Sequence, residues 1–305
     1  MQVQGSLSVL FRPGIDKNFR DSFTLWPKEY TQFLKVGNMD LPEIRATILT
    51  GFNRLVELGD GEQITYDTIK MGKVVQGVDR EFGLGYMVTR KTVEDDLYGK
   101  ANQGARYLAE ASQLTMEYRS AAWLDDAFTG TTFKVIDNQA LLHTAHTLIN
   151  STSTVANTPA TSVGLSVTGI NALLDLAMTC KNENGDPIIV NPTKLIISNS
   201  SGELNKARQI FGSELEPFTA ENQKNSLKER FPGLINNIVV SHYKSSAKSY
   251  FLVDDKLNDA WFLSKRPVTM ENSDDFETGA MKVKATTRFL IWGVDWRGWY
   301  GANPS

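Results

Sequence analysis

Cysteine is almost missing from this chain of 305 residues: Cys180 stands alone. A single thiol excludes an intramolecular disulfide, a CxxC zinc ribbon and a cysteine-held iron–sulfur cluster, and it suits a reducing compartment. An excess of either charge is missing too. Lys and Arg number 32 against 35 Asp and Glu, a net charge of -3, which excludes a dedicated cationic binder of nucleic acid or of an anionic membrane. The densest apolar run, residues 289–294 (FLIWGV), falls far short of the roughly 18 residues of a membrane-spanning helix. The opening MQVQGSLSVLFRPG has neither the basic start nor the apolar core of a secretion signal, so a soluble, unexported chain is expected.

What the chain does have is an ordinary apolar content, 41%, with 10% aromatic residues, enough to build a core. Its distribution is less ordinary. Residues 1–42 show little period, and Pro13, Pro27 and Pro42 interrupt them, so an extended arm is expected there. The same stretch carries Phe11, Phe19, Phe23, Trp26, Tyr30 and Phe33, too apolar for a solvated tail. Such an arm needs a surface to lie on. Between Leu41 and the turn signal Gly59-Asp60-Gly61 the pattern suggests a short helix. From Ile64 to Arg90 two strand-like runs flank a polar, glycine-containing middle, which predicts a long hairpin in want of a partner surface.

Thr92 to Asp95 has capping-box spacing, and residues 105–128 follow a helical period. Gly99 and Gly104 predict a break ahead of that long helix. Ala105, Leu108, Ala111, Ala122 and Trp123 share one face of it, and Arg106, Glu110, Gln113, Glu117 and Asp126 the opposite, polar face. Half of residues 151–168 are Ser or Thr, which reads as a linker. Beyond it the pattern gives a helix near 170–179, a turn at 184–187, a buried strand at 195–198 and a helix after Ser200. The last hundred or so residues read as strands. In the longest, Met281, Val283, Ala285 and Thr287 alternate with Lys282, Lys284 and Arg288, predicting a half-exposed strand with a basic stripe.

Catalytic signatures are scarce. There is no GxSxG elbow, no GxxxxGK[ST] loop and no GxGxxG after a strand. His143 and His146 lack the Glu of HExxH and an evident third ligand, so a packed or hydrogen-bonded pair is the preferred reading. Asp95-Asp96, Asp125-Asp126 and Asp274-Asp275 are adjacent pairs, unsuited to glycosidase chemistry, which places two carboxylates several ångströms apart across a substrate. Cys180 and His242 form a nucleophile and base only on paper. Lys70 and Lys73 read as solvated lysines guarding an edge. Trp292, Trp296, Trp299 and Tyr300 read as core or inter-subunit packing in preference to a stacking platform.

The order of elements (apolar arm, long hairpin, acidic turn, long helix, linker, mixed subdomain, returning strands) resembles the Hong Kong 97 capsid fold of tailed phages. GYMVTRKTVEDDLYG at 85–99 is similar to the strand and Asp-Asp-Leu-x-Gly turn ahead of the spine helix in Mu-like major head subunits. DNQALLHTAHTLI at 137–149, GDPIIVNPTKLIISNSSGELNKARQI at 185–210 and WGVDWRGWYG at 292–301 resemble further stretches of that family. Asn138 departs from it, standing where a Gly is expected. The resemblance implies an α+β fold with an N-terminal arm and short helix (1–58), an E-loop hairpin (59–91), a peripheral domain with a spine helix (92–150), an axial domain (151–260) and returning peripheral strands with the C-terminus (261–305).

The function so implied is that of a major capsid protein, not an enzyme, with no cofactor, metal or membrane. Its pentamers and hexamers would tile the icosahedral shell of a virion, made in the host bacterial cytoplasm, and hold double-stranded DNA by enclosure. Scaffold, portal and decoration proteins would be further partners. Subunit contacts are expected at Phe11, Phe19, Trp26, Lys70, Lys73, Arg80, Glu81, Trp296 and Trp299. Some relatives join subunits by a Lys to Asn isopeptide bond; Lys70 or Lys73 is placed for one, but no motif fixes the partner, and noncovalent contacts are preferred. An encapsulin-like shell and a soluble hydrolase built on His143, His146 or Cys180 are the competing readings.

Overall fold

The structure, a computed structural model, describes residues 7–89, 91–92, 100–217, 223–275 and 277–304; the side chains of 7–13 and 100–102 lie outside it. In chain order the elements are α1 (Leu7–Leu25), a 3-10 turn (Glu29–Gln32), β1 (Lys35–Asn38), β2 (Glu43–Leu49), β3 (Met71–Val78), β4 (Arg80–Val88) and α2 (Lys100–Asp126). Then come β5 (His146–Thr147), β6 (Thr154–Val155), α3 (Val167–Met178), β7 (Lys194–Ser198), α4 (Ser201–Gly212), α5 (Ser226–Arg230) and a second 3-10 turn (Leu234–Asn237). The chain finishes with β8 (Ile238–Ser241), β9 (Tyr250–Val253), β10 (Ala260–Asp274), β11 (Met281–Gly293) and β12 (Trp299–Ala302). Among the described residues no helix is long and apolar enough to cross a membrane. Two compact units share these elements, one of Met1–Glu43, Val78–Ser120 and Trp261–Ile291, the other of Ile44–Gly77, Ala121–Ala260 and Trp292–Ser305.

The first unit is built on the sheet β1-β10-β11-β4. β1 runs parallel to β10, and β11 pairs antiparallel with β4 from Met281 opposite Val88 to Phe289 opposite Arg80. The alternation of β11 does what its pattern requires: Met281, Val283 and Ala285 are buried, packed with Ile15, Phe19, Ala105, Leu108 and Ala109 from α1 and α2. The expected extended arm is thereby corrected, because residues 7–25 are a helix. Ile15, Phe19 and Phe23 recur every fourth residue and so share one face. Burying such side chains stabilises by about 1.5–3 kcal/mol each, enough to carry the helix past Pro13 at the cost of one hydrogen bond.

Helix α2 corrects two further expectations. It continues through Gly104, where a Cβ would stand 2.7 Å from the Tyr86 ring; the glycine gives the ring a seat and does not break the helix. Of the residues expected on its solvent face, Gln113 and Glu117 are buried. Gln113 Nε2 donates to the Phe23 carbonyl at 3.1 Å, and Glu117 accepts the backbone N–H groups of Glu29 at 2.9 Å and Tyr30 at 3.2 Å. These polar side chains receive the N-terminal segment. The capping box at Thr92 to Asp95 falls largely outside the described residues.

Burial pushes the Glu117 carboxyl up to about 7, against the opposing pull of its two N–H donors and Lys28. A carboxyl raised in the folded state binds its proton more tightly there than in the unfolded chain. Its stabilisation is complete below the ordinary value of 4.5 and disappears as pH rises through about 7. Urea denaturation is therefore expected to show a loss of about 2 kcal/mol between about pH 5 and pH 8. Glu117→Gln should flatten that part of the slope; an unchanged slope would count against the assignment.

The second unit is built on the sheet β12-β9-β7-β8, with β7 parallel to β8 and antiparallel to β9. Its β7 is buried apart from half-buried Lys194, as a short apolar strand in a sheet interior must be. The α3 helix starts where Ser166 accepts the Gly169 N–H. The α4 helix starts after Ser200 without a side-chain cap. Asp126, also expected to face solvent, instead accepts the N–H groups of Thr131, Thr132 and Phe133 at 2.8 to 2.9 Å. Those donors and the Thr129 and Thr131 hydroxyls hold its carboxyl below the ordinary range although burial works the other way.

The C-terminal aromatic cluster lies within this unit. Trp296 and Trp299 are fully buried, the Trp299 ring edge-on to Trp123 at 5.3 Å and Trp296 stacked on His146 at 4.2 Å. His146 Nδ1 lies 2.7 Å from an Asp137 carboxylate oxygen and its Nε2 3.1 Å from Asn157 Oδ1. The Asn157 orientation follows from its Nδ2, which donates to the carbonyls of Leu141 and Trp299. Beside Trp296, the guanidinium of Arg297 pairs with Glu183 and with Asp295 at 3.0 Å, and its Nε donates to the Lys181 carbonyl at 2.9 Å. Asn138 answers the departure noted in its loop: its φ is 68°, a left-handed conformation that Asn tolerates better than most residues.

Candidate inter-subunit surface

Strands β2 and β3 form a two-stranded sheet of their own in the second unit. Its base is closed by the Thr50 N–H donating to the Lys70 carbonyl at 3.0 Å and the Lys70 N–H to the Thr50 hydroxyl at 2.9 Å. From 50 to 70 the chain is irregular apart from a turn at Asp60 and Gly61. That is longer than the roughly 12–15 residues beyond which a structureless loop is usually functional. The short helix expected before Gly59 is thus strand β2 followed by loop. The hairpin expected over 64–90 is corrected as well, since β3 pairs with β2 and β4 with the distant β11. Alternation reports a strand but not its partner.

The loop presents apolar side chains to solvent. Leu55 is 101% and Tyr66 90% exposed, and Phe52, Val56 and Ile64 are each more than half exposed. Patches of this kind mark interaction surfaces. Across the loop Asp67 accepts the N–H and side-chain amide of Asn53 at 2.8 and 3.0 Å. Those bonds, led by the backbone N–H donors of Asn53 and Thr68, hold the Asp67 carboxyl below the ordinary range.

The contact residues expected from sequence divide clearly. Lys70, Lys73, Arg80 and Glu81 are exposed, Glu81 paired with Arg266, and Trp26 is half-buried. Phe19, Trp296 and Trp299 are buried inside the subunit, which removes them as contacts with a neighbour. The Phe11 side chain lies outside the described residues. The basic stripe of β11 is neutralised within the chain: Lys282 pairs with Asp275 at 2.7 Å, Lys284 with Glu271 at 2.8 Å and Arg288 with Asp79 at 2.7 Å. Sequence reasoning placed Tyr66 on a face in want of a partner but missed Phe52 and Leu55; the punctuation by Gly51, Gly59 and Gly61 was the available signal.

Cys180 is fully buried and its thiol is pushed up by that burial, whereas His242 is exposed. Among the described residues no three His, Cys, Asp or Glu side chains are grouped to hold a metal ion.

A family model described as phage capsid protein matches residues 78–302. The chain belongs to the phage capsid protein family. Solved structures similar to this capsid protein include the capsid of an empty GTA particle (TM-score 0.55, 10% identity, 91% of this chain and 90% of that one). Mycobacterium phage Adephagia gives a TM-score of 0.54 at 13% identity over 92% of this chain and 91% of that one. A virus-like particle from Pyrococcus furiosus gives 0.53 at 11% identity over 95% of this chain and 98% of that one. At these identities the likeness is one of fold. No curated protein matches the sequence. A capsid protein works through its surfaces, and among the described residues the 50–70 loop is the most apolar exposed stretch.

Proposed function

We propose that this capsid protein is the major head subunit of a tailed phage, many copies of which close as pentamers and hexamers into an icosahedral shell around packaged double-stranded DNA. The exposed apolar loop 50–70 carries the reading: a solitary subunit leaves it in water, and a neighbouring copy buries it. Within this reading the fold is of the Hong Kong 97 type. The first unit serves as peripheral domain with α2 as spine helix, the second as axial domain, and residues 44–77 as the extended hairpin. The motifs at 85–99, 137–149, 185–210 and 292–301 support a place nearest the Mu-like head subunits. Lys70, Lys73, Arg80, Glu81 and Trp26 remain contact candidates, and no residue is given a catalytic role. Scaffold, portal and decoration proteins, and assembly in the host cytoplasm, belong to the same reading. A charge of -3 suits a wall that holds DNA by enclosure without the cationic excess of equilibrium binding.

Electron microscopy of the purified protein is expected to show closed shells. A strictly monomeric species under assembly conditions, with and without scaffold, would overturn the proposal. The ultraviolet absorbance ratio of particles taken from the host separates enclosed DNA from the protein cargo of an encapsulin-like shell.

A further inference from the structure

The outgoing leg of the hairpin lands on one small platform in the second unit, and the returning leg on Ile149, which is bonded to that platform. The platform is the turn at 182–186, where Asn182 Oδ1 accepts the N–H groups of Asn184 at 2.9 Å and Asp186 at 2.8 Å. Gly185 turns the chain with a φ of 90°, a conformation favouring glycine, and the bridge between Lys181 and Pro187 closes the turn. The turn is fixed from below by Arg297, through the Lys181 carbonyl and Glu183. Glu183 in turn accepts the Ile149 N–H at 2.8 Å, and its carbonyl accepts the Asn150 N–H at 3.0 Å.

Two side chains then reach from this rigid turn to the outgoing leg. Asn184 Nδ2 donates to the carbonyls of Gly51 at 3.0 Å and Phe52 at 3.2 Å, while its Oδ1 accepts from Asn150 Nδ2 at 2.7 Å. Asp186 Oδ1 accepts from Arg54 Nε at 2.7 Å and from its terminal nitrogen. The returning leg approaches Ile149, whose N–H Glu183 accepts, at Gly72, where a Cβ would stand 2.7 Å from Ile149 Cδ1. Beyond these points the loop carries exposed apolar side chains.

We infer that Asn184 and Asp186 are positioning residues for assembly: they fix the direction in which the hairpin leaves the subunit, and through it the geometry of shell closure. This rests on the reading that the hairpin bears the contacts with a neighbour. Neither residue touches that neighbour under the inference; each acts through the backbone at 51–52 or through Arg54. The Arg54 and Asp186 side chains are 78% and 29% exposed, so salt weakens their pair. An isolated exposed pair contributes little to global stability, and its effect belongs in the local opening of the loop.

The test uses the full chain with Asn184→Ala/Asp186→Ala, Asp186→Glu, and the exchanged pair Arg54→Asp/Asp186→Arg. Hydrogen exchange on unassembled subunits is expected to speed up about five- to tenfold at 51–54 and 67–70 in the double alanine variant, with the urea midpoint unmoved. The yield of closed particles should fall in that variant, and the glutamate and exchanged-pair variants should recover both readouts. Unchanged exchange in the double alanine variant overturns the inference. Faster exchange with an undiminished yield overturns it equally, since direction would then not limit closure. Failure of the underlying reading looks different, because the unaltered protein itself would then form no particles.

Discussion

Replacing Arg297 with methionine is expected to lower subunit stability by about 3–5 kcal/mol, the usual cost of removing one partner from a buried ion pair. The guanidinium is 5% exposed and serves Glu183, itself 6% exposed, together with Asp295 and the Lys181 carbonyl. Methionine fills much of the volume but leaves a buried carboxylate without its cation. Burial already pushes the Asp295 carboxyl up against the pull of Arg297, so the variant should also take up protons on folding. Arg297→Lys should fall between, because an ammonium keeps the charge and loses the planar fork. Urea denaturation followed by tryptophan emission reads the change, since the guanidinium sits 4.8 Å from the Trp296 ring. A methionine variant within about 0.5 kcal/mol of the parent, the range of an ordinary surface substitution, would remove the ion pair from its place in the fold.

The second large effect concerns association alone. Leu55→Asp should weaken the contact made by the loop by about a thousandfold, combining the lost burial of a leucine with the cost of desolvating a carboxylate. Because a shell repeats the contact in every copy, closed particles should vanish while the subunit stays folded. Leu55 is wholly exposed in the single chain, so the urea midpoint should stay within the range of a surface change. Sedimentation velocity and electron microscopy measure the loss, and Leu55→Met should be tolerated. Wild-type particle yield in the aspartate variant would sink the proposed role of the loop.

Sequence legibility followed the range of the interactions. β11 was readable because its two faces meet different media and the chain alternates accordingly, and β7 because a short apolar run suits a sheet interior. The turn at 184–187 announced itself through Asn-Gly-Asp-Pro. Residues with distant partners were misread. Glu117 looks solvated in any local window, yet its hydrogen-bond partners lie 87 and 88 residues earlier in the chain. The α1 helix was hidden by Pro13 because its stability comes from burial against α2 and β11. Leu55, Val56 and Leu58 imitate a helical stripe in a loop where they touch water. At the candidate surface, composition told that apolar residues needed a neighbour. It did not tell which ones were exposed, because Trp296 and Leu55 look equally apolar as letters.

The buried thiol has a practical side. Only the thiolate reacts readily with alkylating reagents, and Cys180 is both fully enclosed and held toward the neutral thiol. The native chain is therefore expected to react little with maleimides, and a single cysteine placed at exposed Ser162 would become the main point of conjugation. Repeated through a closed particle, one substitution would yield an array of chemically identical handles whose spacing is dictated by the lattice and not by the chemist.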